Sequence, residues 1–365
     1  IERWQVAFQE LYRAEQLPVF QNRMFSSHDD ASASPTGDIV LVRDSATGLV
    51  FNSAFREELV RYDADYQNEQ AVSRVFRAHL DEVTEVICRH FRQQDLIEVG
   101  CGKGYFLEHL CRQGFSVTGF DPTYEGSNPH IVKSYFEPAT GLSADGVVLR
   151  HVLEHVSNPV AFLQSIRDAN GGRGRVYIEV PCLDWIVDNR AWFDIFYEHV
   201  NYFRLADFHR MFGSVLEAGH VFGGQYLYVV ADLATLRQPR LECDDGFSFP
   251  ADFLSSVDRY AQKIRDGKLE RGRPVVVWGG ASKGVIFSLF MRRRGVEIDF
   301  VIDINPAKQG RFLAGTGYPV SSPQEVIDRL PAEAIVFVMN GNYLPEIQEM
   351  TSNKFNYLTV DHENV

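Results

Sequence analysis

Apolar positions follow two different periods along the chain, and these periods predict its elements. Near the N-terminus, the spacing in WQVAFQELYRAEQ is compatible with a helix, whereas IVLVRDSATGLVFN predicts two strands around a turn. The longer stretch AVSRVFRAHLDEVTEVICRHF places Phe76, Leu80, Val83 and Ile87 on one helical face. The pattern therefore predicts a small α+β module followed by an amphipathic helix.

Residues 95–235 alternate between short apolar strands and helices, which is typical of an α/β doubly wound parallel sheet. The predicted strands are DLIEVG, SVTGF, GVVL, RVYIEV and YLYVVAD. The polar segment QPRLECDDGFSFP separates them from a second α/β pattern, which begins near residue 274 with PVVVWGG. We therefore predict an N-terminal module at 1–70, an α/β domain at 71–238 and a C-terminal Rossmann-like domain at 239–365.

Composition and charge exclude several classes of protein. A net charge of −13 repels polyphosphate backbones, so we expect no nucleic-acid partner. The five cysteines form no CxxC pair, which disfavours a disulfide framework and a four-sulfur zinc site. No apolar stretch reaches the roughly 18 residues that cross a bilayer, and the first residues, IERWQ, show no signal-peptide pattern. We expect a cytoplasmic monomer or homodimer without a membrane partner.

The sharpest local signal is LIEVGCGKG, in which a strand ends in Glu98 and continues into Gly100, Gly102 and Gly104. Glycine at these positions lets the backbone turn tightly and approach a ligand. Asp121 follows 17 residues after Gly104, at the tip of the next strand, where a carboxylate can accept ribose hydroxyls. The third glycine comes one residue early for a dinucleotide fingerprint, so the motif favours S-adenosylmethionine (SAM) over NAD.

A second motif, RHVLEHV, begins where the third predicted strand ends. His151 to His155 matches the H-x-x-E-H pattern of zinc proteases, but that pattern needs a helix, whereas this stretch opens directly from a strand. It resembles instead the strand-to-helix junction of class I SAM methyltransferases. Arg150 and His151 are then expected near the methionine end of SAM, and His155 is expected to face the substrate. The alternative for each histidine is a packed or capping residue of a helix.

A third motif, FDIFYEHVNYF, concentrates aromatic and ionisable side chains after a strand, where ligands bind in open α/β sheets. A histidine beside a glutamate, here His199 beside Glu198, can act as a general base near neutral pH.

Taken with VVVWGGASKG and VIDINPAKQG, these motifs resemble the sugar C-methyltransferases of deoxysugar pathways over nearly the whole chain. The resemblance implies a class I SAM methyltransferase fold, SAM as cofactor and a nucleotide-linked keto-sugar as substrate. It implies that His199 is the general base, Glu198 its neighbouring acid and His155 a second histidine of the substrate pocket. Tyr66 corresponds to a tyrosine that approaches the substrate. Ser282 and Lys283 lie in the C-terminal glycine turn, near the expected nucleotide-sugar.

The chain departs from this family at two places. The family's N-terminal module usually binds zinc through C-x-x-C-G, but Asp44 and Thr47 stand at the cysteine positions here. We therefore expect the module to keep its fold and to hold no metal. Phe196 stands where some members have a tyrosine.

The expected reaction begins when His199 removes a proton alpha to a ketone, and the resulting enolate carbon is then methylated. Tyr197, Tyr202 or a histidine would stabilise the enolate oxygen. One alternative is methylation of oxygen or nitrogen, and a second is a binding protein that has lost catalysis. A third, a nicotinamide enzyme using the C-terminal turn, is disfavoured because Gly279-Gly280-Ala281-Ser282 lacks a third glycine at the dinucleotide spacing.

Overall fold

The computed structural model describes residues 8–60, 70–91 and 95–361, which form three β-sheets with helices around them. In chain order the strands are β1 (Phe8–Pro18), β2 (Thr36–Asp44), β3 (Val50–Asn52), β4 (Asp95–Val99), β5 (Ser116–Phe120), β6 (Ile131–Val132), β7 (Gly146–Arg150), β8 (Arg175–Pro181), β9 (Asn201–Tyr202), β10 (Val215–Val221), β11 (Tyr226–Asp232), β12 (Val275–Trp278), β13 (Phe300–Ile302), β14 (Val320–Ser321), β15 (Ile335–Val338) and β16 (Asn356–Thr359). The helices are α1 (His28–Ser32), α2 (Arg74–Phe91), α3 (Tyr105–Arg112), α4 (Pro159–Ala169), α5 (Leu183–Asp188), α6 (Leu205–Met211), α7 (Ser255–Arg271), α8 (Ser282–Arg293), α9 (Pro323–Ile327) and α10 (Leu344–Met350).

The central sheet has seven strands in the order β10–β11–β8–β7–β4–β5–β6. The strands from β8 to β6 run parallel, whereas β11 is antiparallel to both β8 and β10. This is the Rossmann-like, doubly wound fold of class I SAM methyltransferases that the sequence predicted. The strand order reverses beside β4, and ligands bind at the carboxyl ends of the strands at such a switch point.

The N-terminal sheet has the order β1–β2–β3–β9, and its last strand comes from the middle of the chain. Val50 in β3 pairs with Tyr202 in β9, so the segment that carries Glu198 and His199 is attached to this sheet. The predicted hairpin of β2 and β3 is confirmed. The predicted first helix is wrong, because residues 8–18 form β1, which pairs with β2 along its length. The partner strand, rather than local spacing, decides the conformation there.

The C-terminal sheet has five parallel strands in the order β14–β13–β12–β15–β16. Helix α8 follows β12 and ends in the basic run at Arg292 and Arg293, where positive charge is favourable at a helix C-terminus. One cluster of buried apolar side chains joins the three sheets and includes Leu41, Leu149 and Val277. Within the described part of the chain, no helix has the length and apolar character needed to cross a membrane.

Candidate active site

The first glycine turn connects β4 to α3, and its glycines adopt backbone angles that other residues rarely adopt. Gly100, Gly102 and Gly104 have φ values of +73°, +54° and +84°. A Cβ on Gly102 would meet no other atom within 4 Å, whereas one on Gly100 would lie 2.4 Å from Cγ2 of Val152. The turn is therefore open on one side and closely packed against the RHVLEHV segment on the other.

Two buried carboxyl groups stand beside this turn. Asp121 accepts hydrogen bonds from the N–H of Gly102 at 2.8 Å and from the N–H of Thr123 at 2.8 Å. Burial raises the pKa of Glu98 to about 8, and its Oε2 has no hydrogen-bond partner among the described residues. An orphaned acceptor and an acid at the second strand tip, around an open glycine turn, fit the amino-acid and ribose groups of SAM.

Arg150 and His151 converge on a buried carboxylate, Glu179, at the carboxyl end of β8. Nη2 of Arg150 donates to Glu179 at 2.9 Å, and Nε2 of His151 lies 3.0 Å from the same Oε1. The other ring nitrogen of His151 is 3.4 Å from Glu154. Burial opposes the charge on His151, but the two carboxylates outweigh it and raise its pKa to about 9. His151 also has a φ of +52°, a strained conformation that such a network can maintain.

His155 and His199 form the second cluster, with ring centroids 5.0 Å apart. Nδ1 of His155 donates to the carbonyl oxygen of Glu198 at 2.8 Å. His199 is buried, and its pKa lies well below the usual range because of burial and then the nearby histidines, so its imidazole is neutral. Its Nδ1 has no hydrogen-bond partner among the described residues. A neutral imidazole is the form that can accept a proton.

Glu198 lies behind this pair and connects it to the N-terminal module. Its Oε2 accepts from the N–H of Gln21 at 3.2 Å and is 3.5 Å from Nδ2 of Asn22. Burial raises the pKa of Glu198 to about 8. Glu198 does not line the cavity into which His155 and His199 face, so it positions the segment.

The main cavity lies where the three sheets meet. Its lining includes Asn22 from the N-terminal module, residues of the central domain and residues of the C-terminal turn, among them His151, Glu154, His155, Asp194, Phe196, His199, Gly279, Ala281, Ser282, Lys283 and Gly284. The first glycine turn and Asp121 are not part of this lining. They are connected to it through Val152, which packs on Gly100 and lies next to His151 in the chain.

Ser282 and Lys283 line the cavity, and both also bind other residues. The Nδ2 group of Asn22 donates to Oγ of Ser282 at 3.2 Å. Nζ of Lys283 lies 3.1 Å from Oδ2 of Asp194 and donates to Gln225 at 2.9 Å. Lys283 therefore neutralises Asp194, a buried acid of the FDIFYEHVNYF segment, in addition to facing the cavity.

Two predicted substrate residues are placed away from the cavity. The ring of Tyr197 packs against Gly37, and its hydroxyl accepts from the N–H of Arg56 at 2.8 Å. The hydroxyl of Tyr202 donates to the carbonyl of Phe196 at 3.0 Å, a hydrogen bond within the FDIFYEHVNYF segment. The hypothesis that either hydroxyl stabilises the enolate oxygen is therefore corrected, because both are committed to backbone groups. Tyr66 lies outside the described residues.

Sequence reasoning missed several residues of the site. Glu154 and Glu179 hold His151, and Asp194 pairs with Lys283, as described above. Asp303 and Lys308 line the C-terminal part of the cavity. The position of Asp303 after a strand tip, like that of Asp121, is a signal that could have identified it.

The positions of the family's zinc ligands are occupied by a turn. Oδ1 of Asp44 accepts from the N–H of Ala46 at 2.8 Å, and Oγ1 of Thr47 accepts from the N–H of Leu49 at 3.3 Å. Elsewhere, ligand-type atoms of Glu154, His155 and His199 lie within 4.8 Å of one another. Such a group can in principle hold a cation, so metal dependence has to be tested at this cluster.

Two family models match the chain. A "Methyltransferase domain" matches residues 67–215, and a "C-methyltransferase C-terminal domain" matches residues 248–356. Among curated proteins, the chain is 24% identical over 285 residues to the C-methyltransferase NovU of Streptomyces niveus, which covers 69% of this chain and 67% of that protein.

Two further likenesses cover smaller shares of the chain. The ubiquinone biosynthesis O-methyltransferase of Dinoroseobacter shibae is 32% identical over 93 residues, which covers 21% of this chain and 37% of that protein. A solved structure of the 1,6-didemethyltoxoflavin-N1-methyltransferase of Burkholderia thailandensis with S-adenosylhomocysteine has a TM-score of 0.32 and 15% identity. It covers 42% of this chain and 78% of that chain.

Proposed function

Because this chain is a SAM-dependent methyltransferase, we propose that it methylates a carbon atom of a nucleotide-linked keto-sugar, next to the ketone. The observation that carries the proposal is the neutral imidazole of His199, which faces the main cavity beside His155. The similarity of residues 248–356 to the C-terminal domain of C-methyltransferases supports carbon as the acceptor.

A carbon acid needs a base, whereas a hydroxyl or amine acceptor is already nucleophilic. SAM supplies a methyl group that is already activated by its sulfonium. The protein therefore has to remove the proton alpha to the ketone, hold the enolate oxygen and exclude water. His199 takes the proton in this proposal. Asn22 and Ser282 hydrogen-bond to each other on the cavity wall at 3.2 Å, and we propose that a bound substrate replaces this contact, so that their N–H and O–H groups donate to the enolate oxygen.

Methylation of oxygen or nitrogen remains the alternative, and the similarity to an O-methyltransferase over 93 residues favours keeping it. The two reactions differ in one measurable step, because only carbon methylation requires an enolate. A ketone substrate held in D₂O with S-adenosylhomocysteine should then exchange its alpha proton, even though no methyl group is available.

The experiment combines this exchange with labelled SAM and a panel of 4-keto nucleotide sugars. The native protein should exchange the alpha proton and methylate that carbon, and His199→Ala should lower both rates by about 10²–10⁴-fold. His220→Ala, which changes an exposed histidine on β10, is the matched control and should behave like the native protein. Carbon methylation that is unchanged in His199→Ala would remove His199 from the base role.

Repeating the exchange measurement with a chelator tests whether the cluster of Glu154, His155 and His199 needs a metal ion. We expect the exchange rate to be unchanged by EDTA, because the base in this proposal is an imidazole without a bound ion. A loss of exchange that added divalent metal restores would contradict that assignment.

A further inference from the structure

The H-x-x-E-H pattern of the RHVLEHV segment contains a glutamate that has no role in the proposed reaction. Leu153–His155 forms a short 3₁₀-helix, and His151 lies outside it, so the two histidines of the pattern do not share a helical face. His155 lies instead beside His199, with ring centroids 5.0 Å apart, and Glu154 lines the same cavity. The pattern therefore contributes Glu154 and one histidine to a cluster, and the second histidine comes from the FDIFYEHVNYF segment.

Two hydrogen bonds hold these two segments together at the cluster. The N–H of Val200 donates to the carbonyl oxygen of Glu154 at 2.8 Å, and Nδ1 of His155 donates to the carbonyl oxygen of Glu198 at 2.8 Å. The second bond places the proton of a neutral His155 ring on Nδ1, so its Nε2 is an acceptor. Histidines that bind metal ions are usually held in this way, with the other ring nitrogen donating to a carbonyl or a carboxylate.

Glu154 is a buried carboxyl group whose oxygens accept no hydrogen bond from the described residues. Its side chain is 1% exposed, and both oxygens lack a hydrogen-bond partner within this part of the chain. Nδ1 of His151 lies 3.4 Å from Oε1, but the same ring keeps Glu179 as a partner at 3.0 Å when Glu154 turns to another cation. A buried carboxylate is costly unless donors or a cation satisfy its oxygens, so Glu154 is a ready ligand on the cavity wall.

The distances within the cluster suit a small transition-metal ion. One oxygen of Glu154 and one ring nitrogen each of His155 and His199 lie within 4.8 Å of one another. Zinc binds such atoms at about 2.0–2.2 Å, which puts tetrahedral ligands about 3.4 Å apart, so each side chain has to move by less than about 1 Å. Nδ1 of His199 has no hydrogen-bond partner among the described residues, so this movement breaks no hydrogen bond there. Two histidines and one glutamate are a common zinc ligand set.

We propose that Glu154, His155 and His199 bind one Zn²⁺ ion, and that this ion inhibits the methyltransferase by occupying the lone pair that takes the substrate proton. The inference rests on the proposed function, in which His199 is the base. A neutral imidazole has only one acceptor nitrogen, so His199 can bind the ion or accept the proton, but not both. The metal-free protein is then the active form, which agrees with an exchange rate that EDTA leaves unchanged.

Titration of the metal-free full chain with Co²⁺, whose visible absorption reports its ligands, tests the site without a substrate. One Co²⁺ per chain should bind with the intense absorption of a low-coordinate ion, and Zn²⁺ should displace it. Glu154→Gln and His155→Ala should each weaken Zn²⁺ binding by at least about tenfold to hundredfold, since loss of a ligand costs no less than loss of a group that supports it. Circular dichroism in EDTA shows whether both variants are folded.

Glu217→Gln is the matched control for these variants. Glu217 also contacts a histidine, His90, but neither residue lines the cavity. This variant should bind Co²⁺ and Zn²⁺ as the native protein does.

The alpha-proton exchange in D₂O tests the inhibition. Free Zn²⁺ at its measured dissociation constant should lower the native exchange rate to about one half, and EDTA should restore it. Mg²⁺ should not inhibit, because it prefers oxygen ligands. The exchange that Glu154→Gln retains should require more Zn²⁺ for the same inhibition, by the factor by which its binding is weakened.

Two results would overturn the inference. The first is a Zn²⁺ affinity that is the same in Glu154→Gln and in the native protein. The second is Zn²⁺ that binds at the cluster but leaves the exchange rate unchanged or raises it. Absence of exchange in the metal-free native protein would reject the proposed function and the inhibition with it, whereas the Co²⁺ titration would still decide the metal site. The two failures are therefore distinguishable.

Discussion

The two glycine turns share a backbone arrangement, but they lie in different surroundings. Each turn contains a Lys-Gly pair, Lys103-Gly104 in the first and Lys283-Gly284 in the second. Lys103 is exposed, whereas Lys283 lies between Asp194 and Gln225. The same local sequence therefore produces a surface residue in one domain and an interdomain ion pair in the other.

This difference shows that a glycine turn leaves room for a ligand, whereas the charged side chains around the turn determine which ligand charge is favoured. Around the first turn, Glu98 and Asp121 offer acceptors, which suits a donor with a positive sulfonium and amino group. Around the second turn, Lys308 stands beside Asp303, and Val277 replaces the acid. The surroundings of the first turn then suit a cation, and those of the second turn suit an anion.

The largest effect should come from Lys283→Met. This change leaves Asp194 buried without its cationic partner, and breaking a buried ion pair costs about 3–5 kcal/mol. Urea denaturation monitored by circular dichroism measures the loss of free energy of unfolding.

Lys103→Met is the matched control, and an exposed substitution should change the free energy of unfolding by less than about 0.5 kcal/mol. Adding Asp194→Asn to Lys283→Met should recover most of the lost stability, because no buried charge is then left over. Equal losses for Lys103→Met and Lys283→Met would remove the contrast between the two turns.

Alanine substitutions at the glycines of the two turns should lower the free energy of unfolding by smaller amounts than Lys283→Met. Gly284→Ala places a Cβ against a backbone oxygen that cannot move away, and such overpacking costs about 1–3 kcal/mol. Gly102→Ala meets no atom within 4 Å, so only its left-handed φ of +54° opposes alanine, at about 1 kcal/mol. Thermal unfolding of the two variants compares them, and a larger loss at Gly102 would contradict the packing argument.

Much of the fold could be predicted because its strands carry strong local patterns. The strands β4, β5, β7, β8 and β11, helix α2 and the hairpin of β2 and β3 all lie where periodicity placed them. The first strand could not be predicted, because its burial depends on a partner more than 20 residues away, as in the pair of Gln9 and Arg43. Long-range pairing overrides local spacing there.

The site was predictable where a residue follows a strand tip, and less so where three domains meet. The placements of Asp121, His155 and His199 near strand ends could be foreseen from the order of elements. The roles of Tyr197 and Tyr202 could not be foreseen, since both rings are turned into the N-terminal module and the segment's own backbone. Neighbouring residues of an irregular segment can face opposite sides without a sequence signal.

Asp121→Asn should separate the two ligand sites. It removes the carboxylate proposed for the donor's ribose, so the dissociation constant of SAM should rise about tenfold, equivalent to roughly 1.4 kcal/mol. Nucleotide binding at the C-terminal turn should not change. Titration with SAM and with UDP measures both constants, and a parallel loss of the two would mean that the turns are not independent.

The smallest effect concerns Glu98, which has no counterpart at the second turn. Burial raises its pKa to about 8 in the folded protein, so the folded state keeps a proton that the unfolded chain releases above its usual pKa of 4.5. Between these values the unfolded state binds fewer protons, and stability therefore falls as pH rises. For this one group the loss of stability between pH 7 and 8 is on the order of 1 kcal/mol.

Glu98→Gln should flatten this part of the profile of unfolding free energy against pH, measured by urea denaturation without SAM. Glu58→Gln, which changes an exposed side chain, should leave the profile unchanged. A profile that stays as steep in Glu98→Gln would mean that this carboxyl is already ionised beside the first turn, and the contrast in charge between the two turns would then be larger than proposed.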